Sequence, residues 1–366
     1  MKKGYYIHFD AKKTPGVSKK IDMQMEEFGK KYLMSEICIE AKNVSFIKRL
    51  SRLLPGGAVD RDYEAALETM KDPDFIYVRR ATADKEYINF FRRIKKSWPA
   101  CKIIVEIFTY PYDKDEFKRL LTWPYYFKEI YNRKKLPQYI DRYVCFSDDT
   151  EIFGVPTIAT NNGIRVDDIK VPLLKEKKED EVNLIAVAFM QKHHGYERVI
   201  KGLHQYYQKE NKRKVICHLV GDGPEKKRYK RMVKKYGLEK VVIFYPTTLG
   251  EQLDKIYEKG DIALSSLGWY KDGVNIENTL KGREYLAKGL PMVSCCRVKG
   301  VEESFPFIYQ VSNDASPIDI DNLLAFYQKL ADNYSCDEMQ RLIRGCAKNH
   351  VDMPIVMKPI IDFIEG

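Results

Sequence analysis

Short apolar runs alternate with longer amphipathic runs from residue 4 to residue 147, and the same alternation restarts at residue 182. Short apolar runs predict buried strands, whereas apolar positions that recur every three or four residues predict helices. Strands that alternate with helices form β-α-β units around a parallel sheet. The sequence therefore predicts an α/β fold with two Rossmann-like domains whose parallel sheets face a central cleft.

The chain length supports two domains, because 366 residues exceed the roughly 250 to 300 at which a single core stops growing. A charged segment at 174–181, LKEKKEDE, separates the two alternating stretches and is interpreted as a linker. We therefore expect a first domain over residues 1–175 and a second over residues 182–349. The C-terminal residues, about 350–366, contain two prolines and predict a broken helix.

The N-terminal sequence does not resemble a secretion signal, because His8 and Asp10 interrupt its short apolar stretch. No run approaches the roughly 18 apolar residues that a membrane-spanning helix needs. The eight cysteines are scattered and form no C-x-x-C pair. These features predict a cytoplasmic protein with reduced thiols, whose contact with a membrane would be peripheral.

Positive charge is concentrated in the first half of the chain. The net charge is +11, and residues 1–175 hold 33 Lys and Arg against 25 Asp and Glu. Clusters at 46–55, 90–98 and 131–137 interleave cations with apolar residues. Such a surface suits phospholipid headgroups or a phosphate-bearing acceptor. The alternative for each cluster is a solvated helix face.

The segment at 275–296, NIENTLKGREYLAKGLPMVSCC, predicts a short helix. Asn278 can cap its start, and Gly289 can end it in a left-handed turn. A helix N-terminus attracts a diphosphate, and Lys281 lies in the first turn. Glu284 is three residues further on the same face, where its carboxylate can accept the hydroxyl hydrogens of a ribose. The alternative is an exposed Lys281–Glu284 ion pair of little energetic value.

This segment resembles the donor site of family 4 glycosyltransferases, in which a helix that bears a glutamate is followed by A-x-G-x-P and a strand. Here Glu284 is followed by Ala287, Gly289 and Pro291. The likeness extends to a polysaccharide-biosynthesis subgroup with an H-G-Y-[DE]-R motif, which reads HGYER at 194–198. Further segments that match in the same order are residues 187–203, 218–225 and 250–268, together with 15–21, 106–116 and 152–164 in the N-terminal half.

The resemblance implies a GT-B glycosyltransferase whose second domain holds most of the nucleotide-sugar donor and whose C-terminal helix, about 350–366, crosses back to the first domain. It implies transfer with retention of anomeric configuration and without a metal or other cofactor. It also implies a saccharide or polyprenyl-linked acceptor at the inner face of a bacterial membrane, in surface polysaccharide synthesis. The implied partners are the donor, the acceptor and an anionic membrane surface, and no nucleic acid.

One departure from the family pattern concerns the donor sugar. The family places a first glutamate eight positions before the residue that matches Glu284, and here that position is Ile276. Asn275 or Glu277 can take its place against the sugar hydroxyls if the loop shifts by one residue. This substitution leaves the identity of the sugar open.

A second departure concerns the phosphates, because the usual cations after the first strand of this domain are missing. His194 occupies the position of the family's lysine, and Lys192 and Arg198 are the nearby cations. We expect Lys192, Arg198 and Lys281 to stabilise the negative charge that grows on the leaving diphosphate, and His194 to contact the donor.

Two glycines, Gly221 and Gly223, directly follow a strand of the second domain. They form half of a G-x-G-x-x-G fingerprint whose third position is Lys226. The pattern predicts a tight turn beside the base of a nucleotide. A purely structural turn is the alternative.

In the first domain, Gly16 and Ser18 lie between a predicted strand and a predicted helix. This loop can accommodate the distal phosphate of the donor and the acceptor. Arg79, Glu106 and Tyr110 lie at or just past strand ends, where groups that handle the acceptor belong. We count Glu106 among the catalytic candidates, and Ser18, Arg79 and Tyr110 among the acceptor-side residues.

Asp113 and Asp115 form a D-x-D pattern, which chelates the donor's metal in single-domain GT-A glycosyltransferases. That fold leaves the complete Rossmann-like pattern at 182–296 unexplained, so we interpret the two aspartates as helix-starting residues. The six histidines form no H-x-x-x-H pair, and no metal site is predicted.

Two other classes of function remain open. An inactive GT-B scaffold or partner subunit is suggested by Ile276 at the usual glutamate position. A protein that binds anionic lipid or nucleic acid would use the positive charge of the first half, and its affinity would fall steeply with salt.

Overall fold

The computed structural model divides into two compact units, each built around its own sheet. The first unit comprises Met1–Asn161 with Val356–Gly366, and the second comprises Asn162–Ile355. The structure describes residues 1–9, 15–42, 57–107, 110, 123–173, 180–210 and 213–366, with the side chains of Pro15 and Tyr125 left aside.

Seven strands form the sheet of the first unit. They are β1 (Lys3–His8), β2 (Leu33–Cys38), β3 (Phe75–Arg79), β4 (Lys102–Ile107), β5 (Arg142–Cys145), β6 (Glu151–Ile152) and β7 (Val155–Ala159). Their order is β2-β1-β3-β4-β5-β7-β6, and only the β6–β7 pair is antiparallel. Strands β3 and β4 are buried almost throughout, as expected for parallel strands covered on both faces.

Four helices of the first unit accompany this sheet: α1 (Pro15–Gly29), α2 (Tyr63–Thr69), α3 (Lys85–Ser97) and α4 (Trp123–Arg133). Helix α3 shows how they are anchored. Asp84 caps its start by accepting a hydrogen bond from the Tyr87 N–H (2.9 Å), and Phe90, Phe91 and Ile94 pack into the core.

The second unit contains a six-stranded parallel sheet and a separate two-stranded pair. The strands are β8 (Glu181–Val187), β9 (Lys214–Val220), β10 (Val242–Tyr245), β11 (Ile262–Leu264), β12 (Ile276–Glu277), β13 (Met292–Ser294), β14 (Arg297–Val298) and β15 (Ile308–Gln310). The large sheet has the order β10-β9-β8-β11-β13-β15, and β12 pairs with β14.

The described part of the chain after residue 180 contains seven α-helices. They are α5 (Glu197–Tyr207), α6 (Lys226–Tyr236), α7 (Gly250–Tyr257), α8 (Leu280–Ala287), α9 (Ile320–Asn333), α10 (Cys336–His350) and α11 (Met353–Glu365). Buried side chains from these helices and from both faces of the sheet form two apolar clusters. None of the helices in the described part of the chain is both long and apolar enough to span a bilayer.

The predicted α/β fold with two Rossmann-like units is confirmed, and most predicted strands lie where the apolar runs placed them. Six strands were not predicted: β2, β6, β7, β12, β14 and β15. Two of these, β2 and β15, lie at sheet edges and alternate little between apolar and polar residues. Only one residue of β2 is buried, and β15 has three residues of which none is buried. Edge strands therefore lack the apolar signal that marks central ones.

The boundary between the units lies at residues 161–162, before the segment that was predicted as a linker. Residues that follow the boundary are tied to the second unit, since the Ile164 N–H donates to the Val351 carbonyl (3.0 Å) and the Val166 N–H to Asp352 (3.0 Å). Most of 174–181 lies outside the described residues.

The end of helix α11 belongs to the first unit. Lys102 Nζ donates to the carbonyl of Phe363 (2.8 Å), and Lys2 Nζ donates to the carbonyl of Ile364 (2.7 Å). These contacts attach the C-terminal residues to strand β4 and to the residue that precedes β1. The two prolines of this segment, Pro354 and Pro359, predicted a broken helix. The helix is instead continuous from Met353 to Glu365.

Two of the three predicted basic clusters lie on described helices. The cluster at 90–98 is the second half of α3, which buries Phe90 and Phe91 and exposes Arg92 and Lys96. The cluster at 131–137 spans the end of α4. The cluster at 46–55 lies outside the described residues.

Candidate active site

The loops that follow β8, β9, β11 and β13 form one edge of the second sheet. These strands are neighbours in the sheet, and the carboxyl ends of parallel strands lie on the same side. Backbone hydrogen bonds join two of the loops: the Leu267 N–H donates to the His194 carbonyl (2.9 Å) and the Gly268 N–H to the His193 carbonyl (3.0 Å). We call residues 188–196, 221–225, 265–268 and 295–296, with the start of α8, the second-sheet edge.

Three glycines allow these loops to approach one another. Gly195 has φ +62°, and a Cβ atom there would lie 2.5 Å from the Gly268 nitrogen. Gly221 and Gly223 have φ +120° and +135°, and a Cβ on Gly221 would lie 2.1 Å from the Ala188 carbonyl oxygen. Only glycine fits such positions. The structure thus gives Gly221 and Gly223, predicted as donor-binding residues, a direct role in loop packing.

Helix α8 begins at this edge. Its N-cap is Thr279, whose hydroxyl accepts a hydrogen bond from the Gly282 N–H (3.2 Å). The predicted cap, Asn278, instead accepts from the side chain of Arg283 (2.7 Å) and from the Asn162 N–H (2.9 Å). The helix ends as predicted, with Gly289 in the left-handed region at φ +72°.

Lys281 lies in the first turn of α8. Its Nζ is hydrogen-bonded to the hydroxyl groups of Tyr196 (3.2 Å) and Ser266 (3.1 Å). Among the described residues, no carboxylate oxygen lies within 4.0 Å of this ammonium group. Burial lowers the pKa of Lys281 to about 8, although the carboxylate of Glu277 raises it. The N-terminus of α8 and the Lys281 ammonium group, whose neighbours are hydroxyls, therefore lie together at the second-sheet edge.

Glu277 is turned away from solvent. Its side chain is 1% exposed, and its carboxylate accepts hydrogen bonds from the hydroxyls of Ser294 (2.9 Å) and Thr279 (2.8 Å), and from Ser265. Through its hydrogen bond from Thr279, the N-cap of α8, this carboxylate stabilises the start of the helix. The alternative in which Glu277 contacts the donor sugar therefore conflicts with the structure.

Glu284 and Asn275 are both accessible. Glu284 is half-buried on α8, where its carboxylate accepts a long hydrogen bond from the Tyr257 hydroxyl (3.5 Å). Asn275 is exposed just before β12, and its side-chain oxygen accepts from Asn313 (3.1 Å). Ile276 occupies the first position of β12.

His194 contributes a neutral ring to the second-sheet edge. Burial, with the nearby charges of Lys281 and His193, lowers the pKa of His194 to about 2. Its Nδ1 accepts a hydrogen bond from the Gln191 N–H (2.9 Å), so the ring proton is on Nε2. His194 therefore supplies a hydrogen-bond donor and no positive charge. Lys192 is exposed in the same loop.

Arg198 requires a correction, because we predicted a catalytic cation and the structure shows a buried support. The side chain is 1% exposed, and Nη1 donates to the Leu267 carbonyl (2.8 Å). Nε donates to the Ser316 carbonyl (2.7 Å), and Nη2 lies 3.7 Å from Asp314. The guanidinium holds the 265–268 loop in place and has no face toward a substrate.

Comparison with known families covers this same region. Residues 173–305 match the family model described as glycosyl transferases group 1. The chain carries a group 1 glycosyltransferase domain. The matched segment includes β8 to β14, and thus the whole second-sheet edge. A search of curated protein sequences found no significant match.

Solved structures resemble the whole chain. A glycosyltransferase from Rickettsia africae ESF-5 has a TM-score of 0.66 at 12% identity, over 100% of this chain and 98% of that one. HepE from Anabaena, in complex with UDP, has a TM-score of 0.64 at 11% identity, over 100% of both chains. The lipopolysaccharide outer core galactosyltransferase WaaB has a TM-score of 0.58 at 14% identity, over 100% of this chain and 99% of that one. These similarities show a shared GT-B fold.

The first unit contains a cluster of charged side chains at the carboxyl ends of β3 and β4, in which the central carboxylate is fully hydrogen-bonded. The carboxylate of Glu106 is fully buried, and it accepts hydrogen bonds from Lys20 (3.1 Å) and Arg79 (2.7 Å). Gln24 (2.8 Å) and Tyr77 (2.7 Å) donate to its second oxygen. We call these five residues the first-sheet cluster.

The electrostatics of this cluster argue against a catalytic base. Burial alone would raise the pKa of Glu106, but Lys20, Arg79 and the hydrogen bonds from Gln24 and Tyr77 lower it to about 2. A carboxylate held this strongly does not take up a proton near neutral pH. This corrects the prediction of Glu106 as a catalytic residue and ties the predicted acceptor residue Arg79 into the same ion pair.

The other predicted residues of the first unit are not among the five residues of this cluster. Gly16 and Ser18 belong to the first turns of α1, which begins at Pro15, and not to a loop before it. A Cβ on Gly16 would meet nothing within 4 Å. Tyr110 packs edge-on against Phe153, with ring centroids 5.8 Å apart.

The metal alternative rested on Asp113 and Asp115, which lie outside the described residues. Within the described ranges, no group of three or more His, Cys, Asp or Glu side chains is arranged to hold a metal ion.

Sequence reasoning missed the residues that surround Lys281. Tyr196 lies within the HGYER motif, and Ser266 is the second residue after the apolar strand β11. Polar residues at the carboxyl end of a buried strand are a usable signal, and Ser265 and Ser266 carry it. Trp269, whose ring stacks on His193 with centroids 4.6 Å apart, gave no signal of this kind.

Proposed function

We propose that the protein transfers a sugar from a nucleotide-sugar donor to a saccharide acceptor, and that the second-sheet edge binds the donor diphosphate. The observation that carries this proposal is Lys281. It is a cation in the first turn of a helix, within the matched glycosyltransferase domain, and its neighbours are hydroxyl groups. A diphosphate would supply the missing negative charge.

The chemistry follows from the charge that develops on the leaving nucleoside diphosphate. The N-terminus of α8, the Lys281 ammonium and the Nε2–H of His194 are donors fixed before the reaction, so they would stabilise that charge without rearrangement. The exposed Lys192 adds a cation at the rim of the same edge. Arg198 and Glu277 would act as positioning residues behind these groups.

The donor's nucleoside is proposed to be uridine, with its ribose hydroxyls bound by Glu284. Support for uridine comes from the Anabaena neighbour, which was solved with UDP. Glu284 lies three residues after Lys281, so a diphosphate at Lys281 would place its ribose near the same helix face. The accessible Asn275 is the proposed contact for the donor sugar.

Finer features of the reaction are part of the proposal. We infer that transfer retains the anomeric configuration and requires no metal. The proposed acceptor is a saccharide or a polyprenyl-linked saccharide in surface polysaccharide synthesis. The support is the family 4 resemblance at residues 194–198 and 284–291, and the fold shared with WaaB. Cytoplasmic location with peripheral membrane contact would bring the protein to such an acceptor.

A donor panel tests the proposal. Thermal unfolding should be measured with UDP-, GDP-, ADP- and dTDP-sugars, because a ligand that binds the folded state raises the midpoint. We expect a selective shift with UDP-sugars that Glu284→Ala abolishes and the exposed-site control Glu239→Ala preserves. A folded protein that shifts with no member of the panel would refute the proposal.

A second function is favoured by one observation, namely that Ile276 stands half-buried at the position of the family's first glutamate while the neighbouring Glu277 is buried. An inactive scaffold would bind a nucleotide sugar weakly or not at all and would release no UDP from any UDP-sugar. Release of UDP in the presence of saccharide acceptors therefore separates the enzyme from the scaffold.

A further inference from the structure

Helix α4 has an unusual distribution of exposed side chains. Those described as exposed on this helix are Trp123, Phe127 and Tyr131, at 39%, 56% and 66%. They are spaced by four residues, so they form one stripe along the helix. The charged residue Glu129 is 4% exposed and accepts hydrogen bonds from Arg80 (2.6 Å) and from a backbone N–H.

Helices α3 and α6 show the usual arrangement, with charged or polar side chains exposed. Helix α3 exposes Lys85, Glu86, Arg92, Lys96 and Ser97, and helix α6 exposes only six Lys and Arg side chains. Scattered exposed apolar residues need no explanation, but a row of three aromatic side chains on one helix does. Helix α4 places aromatic rings where α3 and α6 place charge.

Positive charge borders this aromatic stripe. Between residues 123 and 140 the chain has four Lys and Arg and a single acid, the buried Glu129. Lys134 is exposed directly after the helix, and Lys135 Nζ lies 4.4 Å from the centroid of the Tyr131 ring. The surface therefore combines aromatic rings with cations and exposes no acidic side chain from this segment.

We propose that α4 docks on the boundary between headgroups and acyl chains of a bilayer that contains anionic phospholipid. Trp and Tyr favour this boundary because their rings are apolar and their polar atoms remain hydrated. Lys134 and Lys135 would lie among the anionic headgroups. A plain phosphate ligand would not require the aromatic stripe, whereas a lipid surface uses both features. This inference rests on the membrane contact proposed above and names the surface responsible.

Vesicle co-sedimentation tests this inference, using the full chain without any sugar donor. Phosphatidylcholine vesicles with and without phosphatidylglycerol are compared. We expect binding to the anionic vesicles and an about tenfold or greater loss of affinity in the variant Trp123→Ser/Phe127→Ser/Tyr131→Ser. The matched control is Lys227→Ser/Lys230→Ser/Lys234→Ser on α6, which removes three exposed cations and should weaken binding far less.

Three results would overturn the inference. One is equal vesicle binding by the aromatic variant and the original protein. Another is a loss of binding in the α6 variant alone, which would assign adsorption to bulk charge. The third is a concentration-dependent dimer that the aromatic variant abolishes, because a second copy would then cover the stripe. The thermal midpoint and the far-UV circular dichroism spectrum of each variant, measured without vesicles or nucleotide, report folding and keep this test independent of the donor site.

Discussion

Each unit places a lysine near the carboxyl ends of its parallel strands, and the two side chains have different surroundings: Lys20 is buried, whereas Lys281 is half-buried. Lys20 in the first unit and Lys281 in the second both have a pKa lowered by burial to about 8. Lys20 Nζ lies 3.1 Å from the carboxylate of Glu106, whereas Lys281 contacts the hydroxyls of Tyr196 and Ser266. The first cation is neutralised within the protein, and the second is suited to an anion from outside.

This difference separates stability from binding. A buried ion pair with complete hydrogen bonding is costly to break, and it leaves no capacity for a ligand. A half-buried cation whose partners are hydroxyl groups, such as Lys281, still lacks a negative charge beside it, and an anionic ligand can supply that charge. Charged residues at strand ends therefore do not by themselves define a site, and their partners decide what they do.

The largest expected effect is on the stability of the first-sheet cluster. Glu106→Ala leaves Lys20 and Arg79 buried without their shared carboxylate, so the free energy of unfolding should fall by about 3 to 5 kcal/mol. Urea denaturation measures this change. The control is Glu64→Ala, which removes a solvent-exposed pair with Arg93 and should change stability little. Equal effects of the two substitutions would show that the cluster is not structural.

A second prediction concerns catalysis at the second-sheet edge. Lys281→Met should lower kcat/KM for sugar transfer about 100-fold, because the leaving diphosphate loses a preorganised cation. Steady-state kinetics with UDP-sugar and acceptor measure this, and Lys227→Met on α6 is the matched control. Full activity of the Lys281 variant would remove the functional contrast between the two lysines.

A third prediction compares the effect on stability of replacing one glycine in each unit by alanine. Gly221→Ala should destabilise the protein by about 1 to 3 kcal/mol, because the new methyl group would meet the Ala188 carbonyl oxygen at 2.1 Å in a left-handed backbone. Gly16→Ala, in the open first turns of α1, should be neutral or slightly stabilising. Thermal unfolding of both variants measures the difference, and a reversed order would contradict the described loop packing.

The smallest predicted effect is a pH dependence of nucleotide binding. The pKa of Lys281 is about 8, so its positive charge is complete near pH 6.5 and is lost as the pH rises through 8. The affinity for UDP should therefore fall, by up to about tenfold, between roughly pH 7 and 9. Lys281→Arg keeps its charge over this range and should flatten the profile. An unchanged slope in that variant would exclude Lys281 as the titrating group.

The sequence was sufficient to predict the fold and the helix that carries Lys281 in its first turn, because the apolar period and the helix-end signals are local. It did not distinguish Asn278 from Thr279 as the cap, since both residue types cap helices and Asn278 is engaged by Arg283 in the folded chain. The roles of Glu106 and Arg198 were also missed. Their partners Lys20 and Ser316 are 86 and 118 residues away in sequence, so only the tertiary structure shows that both charges are used.

The most direct test of the central contrast is calorimetric titration of UDP into the original protein and the variants Lys281→Met and Lys20→Met. We expect Lys281→Met to weaken UDP binding at least tenfold without lowering stability, because the substitution removes a half-buried cation that has no carboxylate beside it. Lys20→Met should lower stability and leave UDP affinity unchanged. If Lys281→Met binds UDP as tightly as the original protein, the second-sheet edge does not hold the diphosphate, and the proposed contrast between Lys281 and Lys20 is contradicted.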